Sequence, residues 1–238
     1  MKVLIAGLAL LMLGGCATDG QSPWSALTSS GRCAKPSSDQ ELALNLSDDL
    51  ANEGKLHASL ANLQNMPDAL PQVRQRKARN YRLLGRSEAE PLYRSLLGTC
   101  MDAEGEHGLG QLAAARGDNT QAMAHMQRAA QLAPTDEKIR NDLGVVYLNQ
   151  LRMADARFEF MTAIELKQSD PLAAVNLVTL LIYQDDWGQA AKVVSQLGLS
   201  PEQVTDAQAR AQKLKGPSAP ARKVVAVSDA IRWLSSEE

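Results

Sequence analysis

The 238-residue sequence predicts an all-α fold, a solenoid of stacked helix-turn-helix pairs. A 34-residue period relates two successive segments and aligns Leu109 with Leu143 and Gly110 with Gly144. Both glycines fall inside predicted helices, where glycine costs about 1 kcal/mol relative to alanine, so close packing of two helices must compensate. Aromatic residues make up 4% of the chain and hydrophobic residues 45%, so the core must consist largely of alanine and leucine. That composition suits thin helix pairs, and an ordinary helical bundle is the alternative.

The best-defined repeat covers residues 103–136 and reads as two short helices joined by Arg-Gly-Asp-Asn. Its marker positions are Leu109, Gly110, Ala122, Met126, Ala129 and Pro134. A second copy has Leu143, Gly144, Tyr147, Ala156, Phe160 and Ala163, with Leu151 in place of the turn glycine, and a third keeps Leu177, Ala190 and Val194. This pattern resembles the tetratricopeptide repeat (TPR). The resemblance implies TPR-like repeats over residues 103–200.

The chain begins with a predicted secretory signal over residues 1–15. Lys2 is followed by an apolar run too short to span a bilayer of about 30 Å, which takes roughly 20 helical residues. The ending Leu13-Gly14-Gly15-Cys16 resembles the bacterial lipobox, in which the signal is cut before a cysteine that becomes lipidated. The resemblance implies an acylated Cys16. With Ala17 next to it, the resemblance also implies attachment to the periplasmic face of the outer membrane.

Residues 16–38 are rich in Ser, Thr, Gly and Pro and predict a flexible tether from the lipidated Cys16. With Cys16 lipidated, Cys33 and Cys100 remain as thiols in an oxidising compartment. A disulfide between these two cysteines is the prediction, and two separate reduced cysteines are the alternative.

Residues 39–100 predict two degenerate helical pairs. The first pair has Ser38-Asp39 as its N-cap and turns at Gly54, and the second comprises helices over 72–84 and 87–97 around Gly85. The helix over 72–84 and its C-terminal end carry a basic stripe within an arc of about 120°. Its members are Arg76, Arg79, Arg82 and Arg86. The stripe predicts either a solvated helix face or a surface for anionic head groups or an acidic partner segment.

The C-terminal part predicts a capping helix over residues 201–214. Ser200 and Gln203 have the spacing of a capping box, and Pro201 suits the first helical position. A linker and tail over 215–238 follow, and the tail either packs on the repeats or binds a partner.

No enzyme, cofactor or metal site is expected. His57, His107 and His125 lack the spacing of metal ligands, and no phosphate-binding loop or Gly-x-Ser-x-Gly motif is present in the sequence. The net charge of −2 gives no indication of a nucleic-acid partner.

The TPR register predicts which side chains face the concave groove. They are His107, Gln111, Ala114, Ala115, Asn141, Val145, Leu148, Asn149, Val175, Thr179, Ile182 and Tyr183. Asparagine both donates and accepts hydrogen bonds, which suits binding of a peptide backbone. Recognition is therefore expected mainly in the two copies over 137–190, unless the groove is filled by the protein's own tether or tail.

A lipobox followed by TPR units is similar to the layout of pilotin-like lipoproteins, and residues 70–200 look most like the TadD-type TPR lipoproteins of the tight adherence (Tad, or Flp pilus) system. This resemblance implies a non-catalytic protein that binds a segment of an outer-membrane secretin and supports its localisation or assembly. The alternatives are a pilotin of type IV pili or type II secretion, and an envelope adaptor that recruits a peptidoglycan hydrolase.

Overall fold

A computed structural model describes residues 33–216, which form eleven α-helices and no strand. The helices are α1 (Ser38–Asn52), α2 (Leu56–Gln64), α3 (Pro71–Leu83), α4 (Ala89–Arg94), α5 (Asp102–Ala115), α6 (Asn119–Leu132), α7 (Glu137–Asn149), α8 (Met153–Leu166), α9 (Leu172–Tyr183), α10 (Trp187–Leu197) and α11 (Pro201–Lys215). Consecutive helices pack as pairs from α1–α2 to α9–α10, and each pair contacts the next. The predicted all-α solenoid is confirmed.

Several predictions concern residues outside the described range. The signal over 1–15, the lipidated Cys16, most of the tether and the tail beyond residue 216 all lie there, and they stay predictions. Within residues 33–216, no helix combines the length and the apolar character needed to cross a bilayer.

Local capping moves some of the predicted helix ends. The N-cap of α1 is Ser37 rather than Ser38-Asp39, because Ser37 and Gln40 exchange side-chain and backbone hydrogen bonds in a capping box. Helix α4 has six residues instead of the predicted 87–97. The chain leaves the α-helix after Arg94 in a series of tight turns and reverses at Gly98, where φ is +73°.

The glycines inside α5 and α7 let the two helices of each pair pack closely, as their cost in helix propensity predicts. A Cβ on Gly110 would lie 2.9 Å from Cγ of Met126, and a Cβ on Gly144 would lie 2.6 Å from Cδ1 of Phe160. Both distances are too short for carbon atoms not bonded to each other, so the helices of pairs α5–α6 and α7–α8 could not pack this closely around any larger residue.

The apolar core is divided unevenly along the stack. We call α1–α4 the N-terminal half and α5–α11 the C-terminal half. The N-terminal half packs on two small clusters, one around Leu63 and one around Tyr93. The C-terminal half is built on one continuous cluster that extends from Ala113 to Ala211. A disulfide joins Cys33 to Cys100, with their Cα atoms 5.0 Å apart, and so ties the start of the N-terminal half to the start of α5.

Helix α11 closes the C-terminal end. It begins with the capping box between Ser200 and Gln203 and packs along α9. Val204, Ala207 and Ala211 bury its apolar side. Together with α7, α8 and α10, it buries ten successive residues of α9, 173–182.

Candidate interaction cleft

A cleft of about 350 Å³ lies along the first helices of successive pairs. Helix α3 provides Gln75, Arg79 and Arg82; α5 provides Glu104, His107, Gly108 and Gln111; and α7 provides Glu137, Lys138, Asn141 and Asp142. Tyr93 of α4 and residues around the α8–α9 turn, including Lys167 and Asp170, complete the lining. The cleft therefore lies where the N-terminal and C-terminal halves meet.

The floor of the cleft depends on a glycine. A Cβ on Gly108 would lie 2.1 Å from Cε1 of Tyr93, so the aromatic ring occupies the space that a side chain on α5 would need. Tyr93 is 2% exposed, and burial raises the pKa of its hydroxyl.

The structure places the predicted groove residues in three environments. His107, Gln111 and Asn141 line the cleft. Val175, Thr179 and Ile182 are only 5%, 2% and 4% exposed. The expectation that these three face an open groove is wrong, because α9 is enclosed by its neighbours, including the capping helix α11.

The remaining predicted groove residues also lie away from the cleft lining. Leu148 is 4% exposed and belongs to the continuous core cluster, against which Val145 and Tyr183 pack. Asn149 is exposed at the end of α7, and Ala114 and Ala115 lie near the end of α5. The cleft thus follows the N-terminal turns of the first helices, and the predicted register extends too far toward their C-terminal ends.

The basic stripe on α3 is divided between the cleft and ion pairs elsewhere. Arg79 and Arg82 line the cleft, whereas Arg76 and Arg86 do not. Nη2 of Arg76 lies 2.6 Å from Oδ2 of Asp48, and Arg86 pairs with Glu88. The stripe is therefore not one continuous free basic surface.

Asp142 is the centre of the hydrogen-bond network in the cleft. Nε2 of Gln111 donates to its Oδ2 over 2.7 Å, Nε2 of His107 lies 2.7 Å from the same oxygen, and Nδ2 of Asn141 donates to Oδ1 over 3.1 Å. Burial opposes ionisation of this carboxyl, but the hydrogen bonds outweigh it, so the pKa of Asp142 lies below its ordinary value.

The predicted peptide-binding role of Asn141 conflicts with its contacts. Asn141 is 3% exposed, and its Oδ1 accepts a hydrogen bond of 2.8 Å from Nδ2 of Asn176. Nη1 of Arg210 then donates to Oδ1 of Asn176 over 3.1 Å. With its amide nitrogen directed to Asp142, Asn141 links α7 to α9, and the chain of bonds continues to α11. Both polar atoms of the Asn141 side chain are therefore already hydrogen-bonded within the protein.

The sequence prediction missed several charged residues of the cleft. They are Glu104, Glu137, Lys138, Asp142, Lys167 and Asp170. Two of them could have been found by extending the register, since Glu104 and Lys138 each lie three residues, close to one helical turn, before a predicted groove position. Lys167 donates to Glu137 over 3.0 Å, and this hydrogen bond holds the pKa of Glu137 below its ordinary value.

Two of the three histidines contact carboxylates. His107 contacts Asp142, and Nδ1 of His125 lies 2.6 Å from Oε2 of Glu106, which also pairs with Arg128. Burial raises the pKa of Glu106, but the hydrogen bonds from Arg128 and His125 outweigh this and lower it overall. Across residues 33–216, no three His, Cys, Asp or Glu side chains are grouped so that they could hold a metal ion.

Comparison with known proteins agrees with this architecture. The chain is 41% identical over 218 residues to the TPR repeat-containing protein PA4299 of Pseudomonas aeruginosa, covering 89% of this chain and 85% of that protein. A family model of the tetratricopeptide repeat matches residues 113–174.

Two solved structures are similar in fold. TTC0263, a thermophilic TPR protein of Thermus thermophilus, has a TM-score of 0.56 at 18% identity, over 74% of this chain and 98% of that one. Pseudomonas aeruginosa pilF has a TM-score of 0.56 at 16% identity, over 83% of this chain and 97% of that one. Identities this low show similarity of the fold alone.

Proposed function

The chain belongs to the tetratricopeptide repeat family, and we propose that it is a lipid-anchored adaptor that binds a segment of an outer-membrane secretin during assembly of the Tad (Flp) pilus. Proteins with this fold typically act as non-catalytic scaffolds for protein-protein interaction. The proposal therefore assigns a binding role to the chain and no reaction or cofactor.

The cleft is the observation that carries the binding role. It combines charged side chains from α3, α5 and α7 with the buried ring of Tyr93, and its volume of about 350 Å³ is large enough for a few side chains of a partner. Helix packing holds these residues in place, so binding a partner requires little further ordering of the cleft itself.

The lipobox-like sequence at Cys16 supports the anchoring role. Each buried methylene of an acyl chain contributes about 0.8 kcal/mol of membrane affinity, so several chains hold a protein firmly on a bilayer. The resemblance of residues 70–200 to TadD-type lipoproteins supports the choice of secretin and of the Tad system. In this mechanism the cleft holds the secretin subunit while the lipid anchor brings it to the outer membrane.

Replacement of the lipidated residue tests the anchoring role. In cells that make the Cys16→Ala chain, we expect secretin multimers to disappear from the outer-membrane fraction. Thr18→Ala is the matched control, because it changes the same segment and keeps the cysteine. If secretin multimers still reach the outer membrane unchanged in Cys16→Ala cells, the anchoring role is wrong.

A second variant tests the cleft independently of the anchor. The doubly substituted chain His107→Ala/Gln111→Ala should remain in the outer membrane but recover less secretin when it is purified from solubilised membranes. Gln196→Ala, an exposed residue of α10 outside the cleft lining, is the control. Equal recovery with both chains would contradict binding through the cleft.

A further inference from the structure

Opposite charges in the cleft are separated along its length. Both arginines, Arg79 and Arg82, come from α3 in the N-terminal half. All of the lining carboxylates come from the C-terminal half; they are Glu104, Glu137, Asp142 and Asp170. Lys138 and Lys167 also lie on that side, so the formal charges of the lining cancel while one end stays purely basic. Such a cleft favours a ligand that carries both an acidic group and hydrogen-bond donors.

Arg82 has unused binding capacity at the basic end. Its Nε donates to Oη of Tyr93 over a long 3.4 Å, and no carboxylate within residues 33–216 lies at ion-pair distance from its guanidinium. Arg79 adds positive charge one turn earlier, although it already donates to Asn52 and lies 3.8 Å from Oδ1 of Asp48. The terminal nitrogens of Arg82 therefore remain available to a ligand.

Tyr93 adds a second donor beside Arg82. Its hydroxyl oxygen accepts from Arg82, and burial keeps its proton in place by raising its pKa. A guanidinium next to a neutral hydroxyl matches the acceptor geometry of a carboxylate, because the fork of an arginine binds two carboxylate oxygens at once.

Glu104, which also lines the cleft, has complementary unused capacity. Asp142 is bonded to three side chains and Glu137 is paired with Lys167, but no side chain of the described residues donates to Glu104. Burial raises the pKa of Glu104, and the nearby charge of Asp136 adds to this effect. A donor supplied by a ligand would relieve the desolvation of this carboxyl.

We propose that the cleft binds an internal segment of a partner protein through an acidic side chain that pairs with Arg82, while a donor of the same segment bonds to Glu104. The occupant is thus an acidic peptide with a free donor close to its Asp or Glu. This inference rests on the proposed function, since it specifies the chemistry of the segment that the cleft binds.

The test is a selection from random peptides displayed on phage, in which the peptides are internal and have no free C-terminus. The full-length wild-type chain should enrich peptides with Asp or Glu at one fixed position. The Arg82→Gln chain should lose that enrichment. Two chains are matched controls for the loss of one positive charge: Lys138→Gln within the cleft and Arg86→Gln outside it. Both should keep the acidic preference.

Affinity measurements then isolate the proposed pair. The best amidated peptide should bind Arg82→Gln at least about tenfold more weakly than wild type. Replacing its acidic residue by the corresponding amide should weaken binding to wild type equally, with little further loss on Arg82→Gln. A charge exchange, Arg82→Glu with a lysine peptide, should restore binding and so excludes misfolding as the cause of the loss.

Each other outcome overturns the proposal. A selection that enriches peptides with no acidic preference, or one in which Lys138→Gln removes the preference, shows that Arg82 does not anchor the segment. Competition by anionic phosphatidylglycerol vesicles would assign the arginines to a lipid surface. These results leave secretin recovery by the His107→Ala/Gln111→Ala chain as a separate test, so the proposed function can survive them.

Discussion

The N-terminal half and the C-terminal half of the stack are stabilised in different ways. In the N-terminal half, two small apolar clusters flank a buried polar centre, in which Oγ of Ser59 lies 2.7 Å from Oγ of Ser47 and accepts from Asn80 over 2.7 Å. In the C-terminal half, one apolar cluster extends through α11. A repeat stack can therefore be closed at one end by apolar burial and at the other by polar contacts and a covalent link.

The largest expected effect comes from the disulfide. Cys33 and Cys100 are separated by 67 positions in the sequence. A disulfide that closes a loop of this length reduces the entropy of the unfolded chain and so stabilises the fold by about 4 kcal/mol. In the Cys33→Ser/Cys100→Ser chain, the free energy of opening measured by hydrogen exchange should fall by about that amount for amides of α1 and α2. Amides of α7 to α9 should change little, because their apolar cluster remains intact.

A reductant provides the control for this experiment. It should reproduce the effect on the wild-type chain and add nothing to the double-serine chain. Equal loss of protection in both halves would contradict the difference between them.

The next largest effect is expected where two helices of the C-terminal half pack most tightly. Gly144→Val should lower the free energy of unfolding by about 3 kcal/mol, because the new side chain overlaps Phe160. One repeat later, the equivalent positions are Val178 and Val194, both buried. Copying that pair in Gly144→Val/Phe160→Val should therefore cost less than the sum of the single changes.

Urea unfolding monitored by circular dichroism measures these differences. Gly188→Val is the matched control, because nothing lies within 4 Å of a Cβ at that helical glycine. If the losses in free energy of unfolding caused by Gly144→Val and Phe160→Val simply add in the double variant, the idea that the smaller residue at position 160 makes room for valine at position 144 is wrong.

The repeat period predicts those features of the structure that recur from one repeat to the next. It locates the close approach at Gly110 and Gly144, because this contact follows from stacking similar units, whereas the capping helix after Ser200 is located by its own capping-box residues. It does not reveal that the amide of Asn141 is bonded to Asn176, since that contact depends on the identity of a single residue in the adjacent repeat. It also does not place Arg82 in the cleft, because Arg82 lies in the degenerate helical pairs over 39–100, outside the 34-residue period.

Acidic pH should affect two carboxyls of the cleft in opposite directions. Because the pKa of Asp142 is lowered by folding, its contribution is present above its ordinary pKa and is lost as the pH falls through the folded value. The pKa of Glu104 is raised by burial, so the charged form destabilises the folded state, and this penalty is relieved as the pH falls through the raised folded pKa toward the ordinary value.

Amide substitutions separate these contributions at the junction of the two halves. At pH 7, Asp142→Asn should cost about 2 kcal/mol, a cost that shrinks toward pH 3, since the charged acceptor is lost. Glu104→Gln should be neutral or stabilising at pH 7. Thermal unfolding at pH 3, 5 and 7 measures both, and a destabilised Glu104→Gln chain would contradict the assigned desolvation.

The smallest expected effect concerns turns. Both halves use glycine at left-handed positions, for example Gly85 and Gly117, but within residues 33–216 only the C-terminal half also places other residues there, Leu151 and Asp185 at φ values of 59° and 60°. A leucine in the left-handed conformation costs about 1 to 2 kcal/mol. Replacing it with glycine removes this cost, but the greater conformational freedom of glycine in the unfolded chain offsets part of the gain in stability. Leu151→Gly should therefore stabilise the protein by about 0.5 kcal/mol.

Because Asp tolerates this conformation better and Asp185 pairs with Lys215 over 2.8 Å, Asp185→Gly should give no gain. Thermal midpoints of the two variants measure both effects: a gain for Leu151→Gly alone indicates that backbone strain at Leu151 is relieved by glycine, and a gain for Asp185→Gly alone contradicts this.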